Sequence, residues 1–577
     1  MENYQLAEKI TEKHPLLNSY PYIIAQLLFN RGIKTKEEAE KFLNPQWEDY
    51  YDPFLMQDME RAVERIQAAI ERGEKITIYA DYDADGVPGA VILSDLFKKI
   101  GKVNFDIYIP HRQDEGYGIH QTALEKIKES GTQVIVSIDL GITAYQEALW
   151  CKEHQIDLII TDHHLPLQNE EKKEKLPEAF AILNPKRKDD QYPDPMLCGA
   201  GVIFKFVQAF IKKYGIKYQI YEGWEKWLLD MLAIATISDM VPLRNENRIF
   251  SYYGLKVIQK LLKSKGRRQG LQQLLWSLGV QGDYLIEENI SFGVSPHINA
   301  ASRMSHARDA LALFLAENDL DAENSVAQVK KLNDARKKLV AKTLQEAEEM
   351  LKEKEVEDLI VIGKADWQAG ILGLVASKLM EKYQVPVFVW SKENELIKGS
   401  CRSLNGIHLV DLMEASPKKT FLHFGGHKLA GGFSCEVQEI EKLETRLKKA
   451  LKDYQTKHKP KRDRMLIDAE LSIDLISENF YHLIQKLAPF GTGNPKPRFL
   501  FKKVFVEKIN HFGKDKNHLE VFFKNSFGKT IRGISFFKKR EDFPRLKEGK
   551  YFDFIGEIEY SVFHGKHELR LKIIDFL

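Results

Sequence analysis

Cysteine is scarce: Cys151, Cys198, Cys401 and Cys435 are the only four in 577 residues, and no two form a CxxC pair. That scarcity excludes a disulfide framework and a thiolate zinc site, and it fits a reducing, cytoplasmic setting. The chain also lacks any apolar run near the roughly 20 residues that span a bilayer. Its first residues, MENYQLAEKITEK, do not have the form of a signal peptide, so no membrane partner is expected. Neither a solenoid period nor a low-complexity tract is present.

What is there is a globular composition, 44% hydrophobic and 29% charged, too long for one core and suited to several domains. The net charge of +2 hides an asymmetry. From Thr456 onward basic residues exceed acidic ones by about nine, leaving the preceding part about seven negative. One end suits a polyanion, and the acidic remainder suits cations.

Residues 1–58 read as a helical arm. From 59 the pattern changes to apolar strands (KITIYA, TQVIVSID, QIDLIIT) alternating with amphipathic helices that stop at glycine, as in RAVERIQAAIERG. This alternation predicts a mostly parallel sheet covered on both faces, over 59–322. A charged stretch at 323–353 without Gly or Pro predicts a connecting helix, and a second α/β lobe follows over 354–455. The basic stretch KDYQTKHKPKRDR reads as a linker. Closely spaced short strands then predict a small all-β barrel over 456–577.

In a parallel α/β sheet, ligands sit beyond the carboxyl ends of the strands. KITIYA runs into Asp81, Asp83 and Asp85, VIVSI into Asp139, and DLIIT into Asp162, His163 and His164; the helix MLAIATIS delivers Asp239. Singly, a DxD is commonly a turn and an HH pair commonly packing. Together at successive strand ends they form a cluster whose like charges need divalent cations. Oxygen donors with one or two imidazoles suit Mn²⁺ or Mg²⁺, and two such ions about 3.5–4 Å apart clamp an in-line attack on phosphorus.

DYDADG, SIDLG, TDHH and SDMVPL, in that order, resemble the four motifs of the DHH phosphoesterase family. PHRQDEGYG, LCGAGVIFKF, SPHINAASRM, GSCRS, GGHKLAGG and PFGTGNPKPRF resemble the RecJ-type single-strand-specific exonucleases within it. The resemblance implies a DHH lobe, a DHHA1 lobe and an OB-fold barrel. It implies that Asp81 and Asp83 bind one ion, Asp85, His163 and Asp239 another, and that Asp139 bridges them. His164 would contact the scissile phosphate. Arg112, Ser400 and Arg402 would hold a 5′-terminal phosphate, with Asn299, Arg303, Gly425, Gly426 and His427 as further phosphate contacts. In the barrel, Lys502, Lys503, Phe505, Phe522, Phe523, Phe536, Phe537 and Tyr560 mix charge with stacking surface, about half of the aromatics being expected in the core.

The implied activity is 5′→3′ exonucleolytic hydrolysis of single-stranded DNA to 5′-mononucleotides, in bacterial repair and recombination. The implied partners are a single-stranded DNA-binding protein and a RecQ-type helicase. A two-lobed small-molecule or oligoribonucleotide phosphodiesterase would lack the basic barrel, and a non-catalytic DNA-binding scaffold would have lost metal carboxylates. Four positions depart from the family pattern: Pro88, His297, Ser302 and Gln368. His297 and Gln368 are expected to weaken phosphate contacts.

Overall fold

The computed structural model describes residues 4–577 apart from 169–172, 265, 281, 355, 405, 459–463, 514–515 and 564–565. The first lobe opens with helix α1 (Met59–Arg72), stopped by Gly73 in the left-handed region. Strand β1 (Lys75–Ala80), helix α2 (Gly86–Ile100), β2 (Phe105–Tyr108), α3 (Gln121–Glu129), β3 (Thr132–Ile138), α4 (Tyr145–Glu153) and β4 (Asp157–Thr161) follow. A short strand β5 (Ala181–Leu183) completes the sheet, whose order β2-β1-β3-β4-β5 is parallel throughout. Strand order reverses between β1 and β3, which makes the crevice beyond their carboxyl ends the place for a ligand.

The helices α5 (Gly199–Tyr214) and α6 (Leu229–Ser238) are buried on almost every side, and with α2 they form the centre of the largest core. Within it the Lys205 ammonium and the Glu246 carboxylate pair at 2.9 Å, both fully buried, with Tyr51 O at 2.7 Å as a second acceptor. Helix α7 (Ser295–Met304) leads to the long helix α8 (Asp319–Lys352), capped by the Asn318 side chain on the Asp321 amide at 2.9 Å.

The second lobe is a mixed sheet. It contains β6 (Ile360–Gly363), helix α9 (Leu372–Tyr383), β7 (Val387–Glu393), β8 (Leu396–Arg402), β9 (His423–Gly426) and β10 (Ala430–Glu436), with strand order β9-β10-β8-β7-β6. The predicted linker is partly helical: the helix Ile440–Lys457 runs into it, and residues 459–463 lie outside the described residues.

The last five strands, β11 (Phe499–Phe512), β12 (His518–Lys524), β13 (Thr530–Ser535), β14 (Lys550–Phe563) and β15 (Lys566–Phe576), close on themselves. β11 pairs with both β12 and β14, and β15 joins β13 to β14, giving a five-stranded barrel of OB type. Phe501, Phe554 and Phe523 stack in its core, with centroids 4.8 and 4.5 Å apart.

The N-terminal arm belongs to this barrel in packing terms. Tyr4–Leu6 pairs in parallel with Met465–Ile467, and Ile24, Leu27 and Leu28 of the helix Tyr22–Asn30 share one core with Phe499 and Phe523. Arg31 donates to Asn494 Oδ1 at 2.6 Å and to Pro495 O at 2.6 Å. The Arg244 guanidinium returns to Arg31 O at 2.8 Å, tying arm, barrel and first lobe together.

Candidate metal centre and phosphate pocket

Each of the first three acid loops leaves the sheet at the same level. The amides of Asp81, Asp139 and Asp162 donate to Ile138 O, Thr161 O and Leu183 O at 3.1, 2.9 and 3.0 Å, extending the parallel ladder by one residue. Beyond this line the chain must turn sharply. Asp139 does so at φ 64°, a region L residues seldom occupy, and Gly141 follows at φ 119°.

Asp83 Oδ1 accepts from the amides of Asp85 and Gly86 at 2.8 and 3.1 Å, where α2 begins. Both Asp85 oxygens accept from the first amides of α5, Gly199 at 2.6 Å and Ala200 at 2.7 Å. Two helix N-termini therefore face the acids and favour their charge. Pro88 lies in the first turn of α2, where its missing amide hydrogen costs nothing. The close approach requires glycine: a Cβ on Gly86 would lie 2.4 Å from Asp81 O, and one on Gly199 2.5 Å from Asp139 Cβ.

Three sets of donor atoms meet here: Asp81, Asp83 and Asp139; Asp85, His163 and Asp239; and Asp139, His163 and His164. His163 Nε2 is 3.2 Å from Asp139 Oδ1, 3.7 Å from Asp239 Oδ2 and 3.9 Å from Asp85 Oδ2. Burial, then mutual repulsion, pushes Asp85 to about 7 and Asp239 to about 8, and raises Asp81 and Asp139 as well. Asp81 Oδ1 and Asp139 Oδ1 are buried without any hydrogen-bond donor. Oxygen acceptors left bare in this way fit hard divalent cations.

The two histidines differ. Burial, with the neighbouring His164 charge, depresses His163 to about 3, so it is a neutral donor. His164 Nδ1 lies 2.8 Å from Asp162 Oδ1, which also accepts the amides of His163 and His164 at 2.7 and 3.0 Å. The other Asp162 oxygen accepts the Ile142 amide at 2.9 Å. Burial opposes ionisation of both groups, but this pairing prevails, holding Asp162 near 2 and His164 up at about 9. Asp162 thus fixes the orientation and the charge of His164. Spacing in sequence marks it as part of the cluster but does not distinguish this role.

Two more residues at the centre fall outside the candidates drawn from sequence. The Tyr117 hydroxyl lies 3.2 Å from both Asp139 O and His164 Nδ1. Lys186, largely buried just beyond β5, has its pKa lowered by that burial, against the pull of Asp239, Asp162 and Asp139. The same turn holds the DHH loop, through Asn184 Nδ2 on His164 O at 2.9 Å.

Across a cleft of about 980 Å³, lined in part by Tyr82, Tyr117, Ser400, Phe424 and Gly425, stands the second lobe. Ser400 and Arg402 share one face of β8, with Arg402 Nη1 3.3 Å from Ser400 Oγ. Both abut the start of α9, where a Cβ on Gly373 would come within 2.8 Å of Arg402 Nη2 and 3.0 Å of Ser400 Oγ. Arg112 lies over the Tyr82 ring at 4.7 Å, and Arg303 Nη1 donates to Gly370 O at 2.6 Å. Burial and the guanidiniums of Arg112, Arg336 and Arg402 bring Arg303 down to about 9.

GGHKLAGG forms the end of a β-hairpin: Gly425 pairs with Gly432 and Gly426 with Gly431. The His427 amide is spent on Ala430 O at 2.7 Å, while its ring stacks over His164. Asn299 is half-buried on α7. His297, on the same helix, points into the core: Nδ1 bonds Gly293 O at 2.6 Å and Nε2 accepts from Asn333 of α8 at 3.0 Å. Ser302 is buried against Asn299 O at 3.3 Å, and Gln368 precedes the turn that holds Gly370.

On the barrel, only Phe523 of the six named aromatics is buried, against the expected half. Tyr560 is stacked between Tyr481 and Tyr284, the latter from the first lobe, and Lys502 pairs with Glu470 at 2.6 Å. Phe536 and Phe537 are exposed beside His518.

Comparison with known proteins agrees along the chain. Residues 75–236 match the DHH family, N-terminal domain, residues 356–453 the DHHA1 domain, and residues 467–575 the RecJ OB domain. The single-stranded-DNA-specific exonuclease RecJ of Bacillus subtilis (strain 168) is 33% identical over 560 residues, 96% of this chain and 67% of that one. Its namesake from Haemophilus influenzae is 27% identical over 577 residues, 98% and 96% of the two chains. The crystal structure of RecJ with Mn²⁺ from Thermus thermophilus has the same fold, with a TM-score of 0.80 at 24% identity over 100% of this chain and 79% of that one. With the metal-suited centre and the three matched domains in one chain, the protein belongs to the RecJ family of exonucleases, metal-dependent phosphodiester hydrolases of the DHH class.

Proposed function

We propose that the protein removes 5′-mononucleotides one at a time from the 5′ end of single-stranded DNA, with two Mn²⁺ or Mg²⁺ ions. Asp81, Asp83 and Asp139 are the residues proposed to hold one ion, and Asp85, His163 and Asp239 the other, with Asp139 common to both. Bound there, the ions supply neutralisation of the acid cluster and a water acidic enough to attack at neutral pH. The chain's own groups do the rest. His164, kept cationic by Asp162, presents positive charge to a phosphoryl oxygen, and His427 closes over it from the other lobe.

One observation carries this reading: a single cleft is lined by two tyrosines, one set against the guanidinium pocket and the other against the acid cluster. Tyr82 lies under Arg112 at one end, and Tyr117 touches His164 at the other. A terminal phosphate held by Arg112, Arg303, Ser400 and Arg402 would set the scissile bond at a fixed distance from the end. Asn299, Gly425 and Gly426 are proposed as further contacts along the strand. The exposed Phe536 and Phe537 suit a strand with unpaired bases. No helix among the described residues is long and apolar enough to cross a membrane, and a cytoplasmic place in bacterial DNA repair and recombination is proposed. A single-stranded DNA-binding protein and a RecQ-type helicase are the partners such a role calls for.

The test is degradation of a 3′-labelled DNA strand by the full chain with Mn²⁺. Stepwise loss from the 5′ end, releasing 5′-mononucleotides and absent when the strand is in duplex, is expected. Internal cutting, loss from the 3′ end, or binding without cleavage would overturn the proposal.

A further inference from the structure

Asp239 differs from other proposed metal ligands in what holds it. Asp81 and Asp139 continue the sheet ladder through their amides, and Asp83 and Asp85 accept from helix amides. Asp239 follows the last turn of α6, and among the described residues its carboxylate accepts no hydrogen bond; His163 Nε2 stands 3.7 Å away. Where this carboxylate lies is therefore set by the backbone on its two sides. One side is the helix, with the Asp239 amide on Ala235 O at 2.9 Å. The other turns at once, Met240 standing at φ 59°, and runs through Val241 and Pro242 to Leu243 and Arg244.

Asn247 Nδ2 reaches Pro242 O at 3.1 Å from within the first lobe. The next two residues are held by the barrel domain, through the loop 491–494 ahead of β11. The Leu243 amide donates to Thr492 O at 2.8 Å, and Arg244 Nε donates to Gly493 O at 3.0 Å. The fit leaves no room for side chains: a Cβ on Gly491 would lie 2.8 Å from Leu243 Cδ1, and one on Gly493 3.1 Å from Pro242 Cβ. The loop is braced from behind by Asn494, fully buried, whose Nδ2 donates to Leu487 O and Pro489 O, each at 2.8 Å. Arg248 adds a tie to Ala488 O at 2.9 Å and to Phe42 O at 2.7 Å. The motif PFGTGNPKPRF is thus moulded around the segment that leaves a proposed metal ligand.

We infer that the loop 491–494 is a positioning element for Asp239, so that docking of the barrel domain completes the metal position formed by Asp85, His163 and Asp239. The inference rests on the proposed ligand set and makes it depend on a domain that supplies no ligand. Groups that orient a metal ligand without touching the ion set its affinity in this way.

Calorimetric titration of the full chain with Mn²⁺, without substrate, tests it. Gly491 lies outside the left-handed region, so bulk added there presses on Leu243. Gly491→Val should weaken one of the two ions about tenfold, the range for losing an orienting group, and leave the other unchanged. Adding Leu243→Ala, which makes room, should recover part of the loss. In an Asp239→Asn background Gly491→Val should change nothing further, because both act through one group. Arg244→Ala, which frees Gly493 O, should act in the same direction as Gly491→Val. Phe527→Ala, at an exposed hairpin tip of the barrel, should leave both ions at wild-type affinity. Circular dichroism shows which variants are folded. Wild-type Mn²⁺ binding in folded Gly491→Val or Arg244→Ala, equal weakening of both ions, or a loss that adds to that of Asp239→Asn would overturn the inference. An Asp239→Asn variant that keeps both ions at full affinity would instead overturn the ligand set, and the role of the loop with it.

Discussion

The imidazoles of His164 and His427 lie nearly parallel, 8° apart in plane and 6.2 Å between centres, although one belongs to the first lobe and the other to the second. A phosphodiester bound at His164 would therefore lie within reach of His427 as well. Because His427 ends a hairpin and is not among the proposed metal ligands, His427→Ala should slow cleavage about 10²-fold, in the range for loss of a positioned proton donor. Mn²⁺ binding should be unchanged. Parallel measurement of cleavage and Mn²⁺ titration checks this; a lost ion would mean that His427 supports the metal centre instead.

The pairing of Asp162 with His164 predicts a shift visible without metal. In the metal-free protein His164 should stay protonated until pH approaches 9. Its pKa is raised above the unfolded value, so the stability from this pair is fully present below about 6.5 and is lost as pH rises through 9. In Asp162→Asn the imidazole should titrate well below 9, because burial then acts without the compensating carboxylate. NMR titration of isotope-labelled histidine reads both values.

The acid cluster gives the opposite of ordinary carboxylate behaviour. With Asp85 raised to about 7 and Asp239 to about 8, these two carboxyls hold more protons in the folded chain than in the unfolded one above pH 4. Stability of the metal-free protein should therefore fall as pH rises to about 8. His163, with the lowered His297, His306 and His427, offsets this below about 6.5, where the unfolded chain would protonate them. Mn²⁺ should raise Tm more at pH 8 than at pH 5. Thermal melts at both pH values, with and without the ion, decide it; a Tm that climbs with pH in the metal-free protein would contradict the account.

Glycine at 199 is a steric requirement of the site. Gly199→Ala would put a methyl group 2.5 Å from Asp139 Cβ, forcing shifts that cost about 1–3 kcal/mol. Mn²⁺ affinity should drop about tenfold or more while the fold persists, as read by titration together with circular dichroism.

Leu28 is fully buried where the arm meets the barrel. Leu28→Ala should cost about 2–5 kcal/mol. Urea unfolding should show the loss, and cleavage at low temperature should be spared.

Most of the fold was legible because its strands and helices carry strong local patterns. KITIYA is strand β1 residue for residue, and Gly73 and Gly101 stop their helices as expected. The arm's docking was not legible, since Tyr4–Leu6 finds its partner strand more than 450 residues away and three residues give no periodic signal. β5 was too short to read for the same reason. At the site, the acids and histidines announced themselves by lying at strand ends. Tyr117 and Lys186 did not: nothing in their local sequence shows where they point, and only packing brings them to the acid cluster. His297 taught the reverse lesson. Placed in sequence where a phosphate contact was expected, it is spent on Gly293 and Asn333 inside the helix packing.

Asp139 is proposed to join two metal positions, both of them needed for cleavage. Calorimetric titration of the full chain with Mn²⁺, run beside a single-strand cleavage assay at each ion concentration, tests it directly. Two ions per chain, and cleavage that rises with the second, are expected. Asp139→Asn should bind at most one ion and cleave at least about 10³-fold more slowly, a loss equivalent to about 4 kcal/mol. Full cleavage with a single ion bound, or an Asp139→Asn variant that keeps both ions and the wild-type rate, would contradict it.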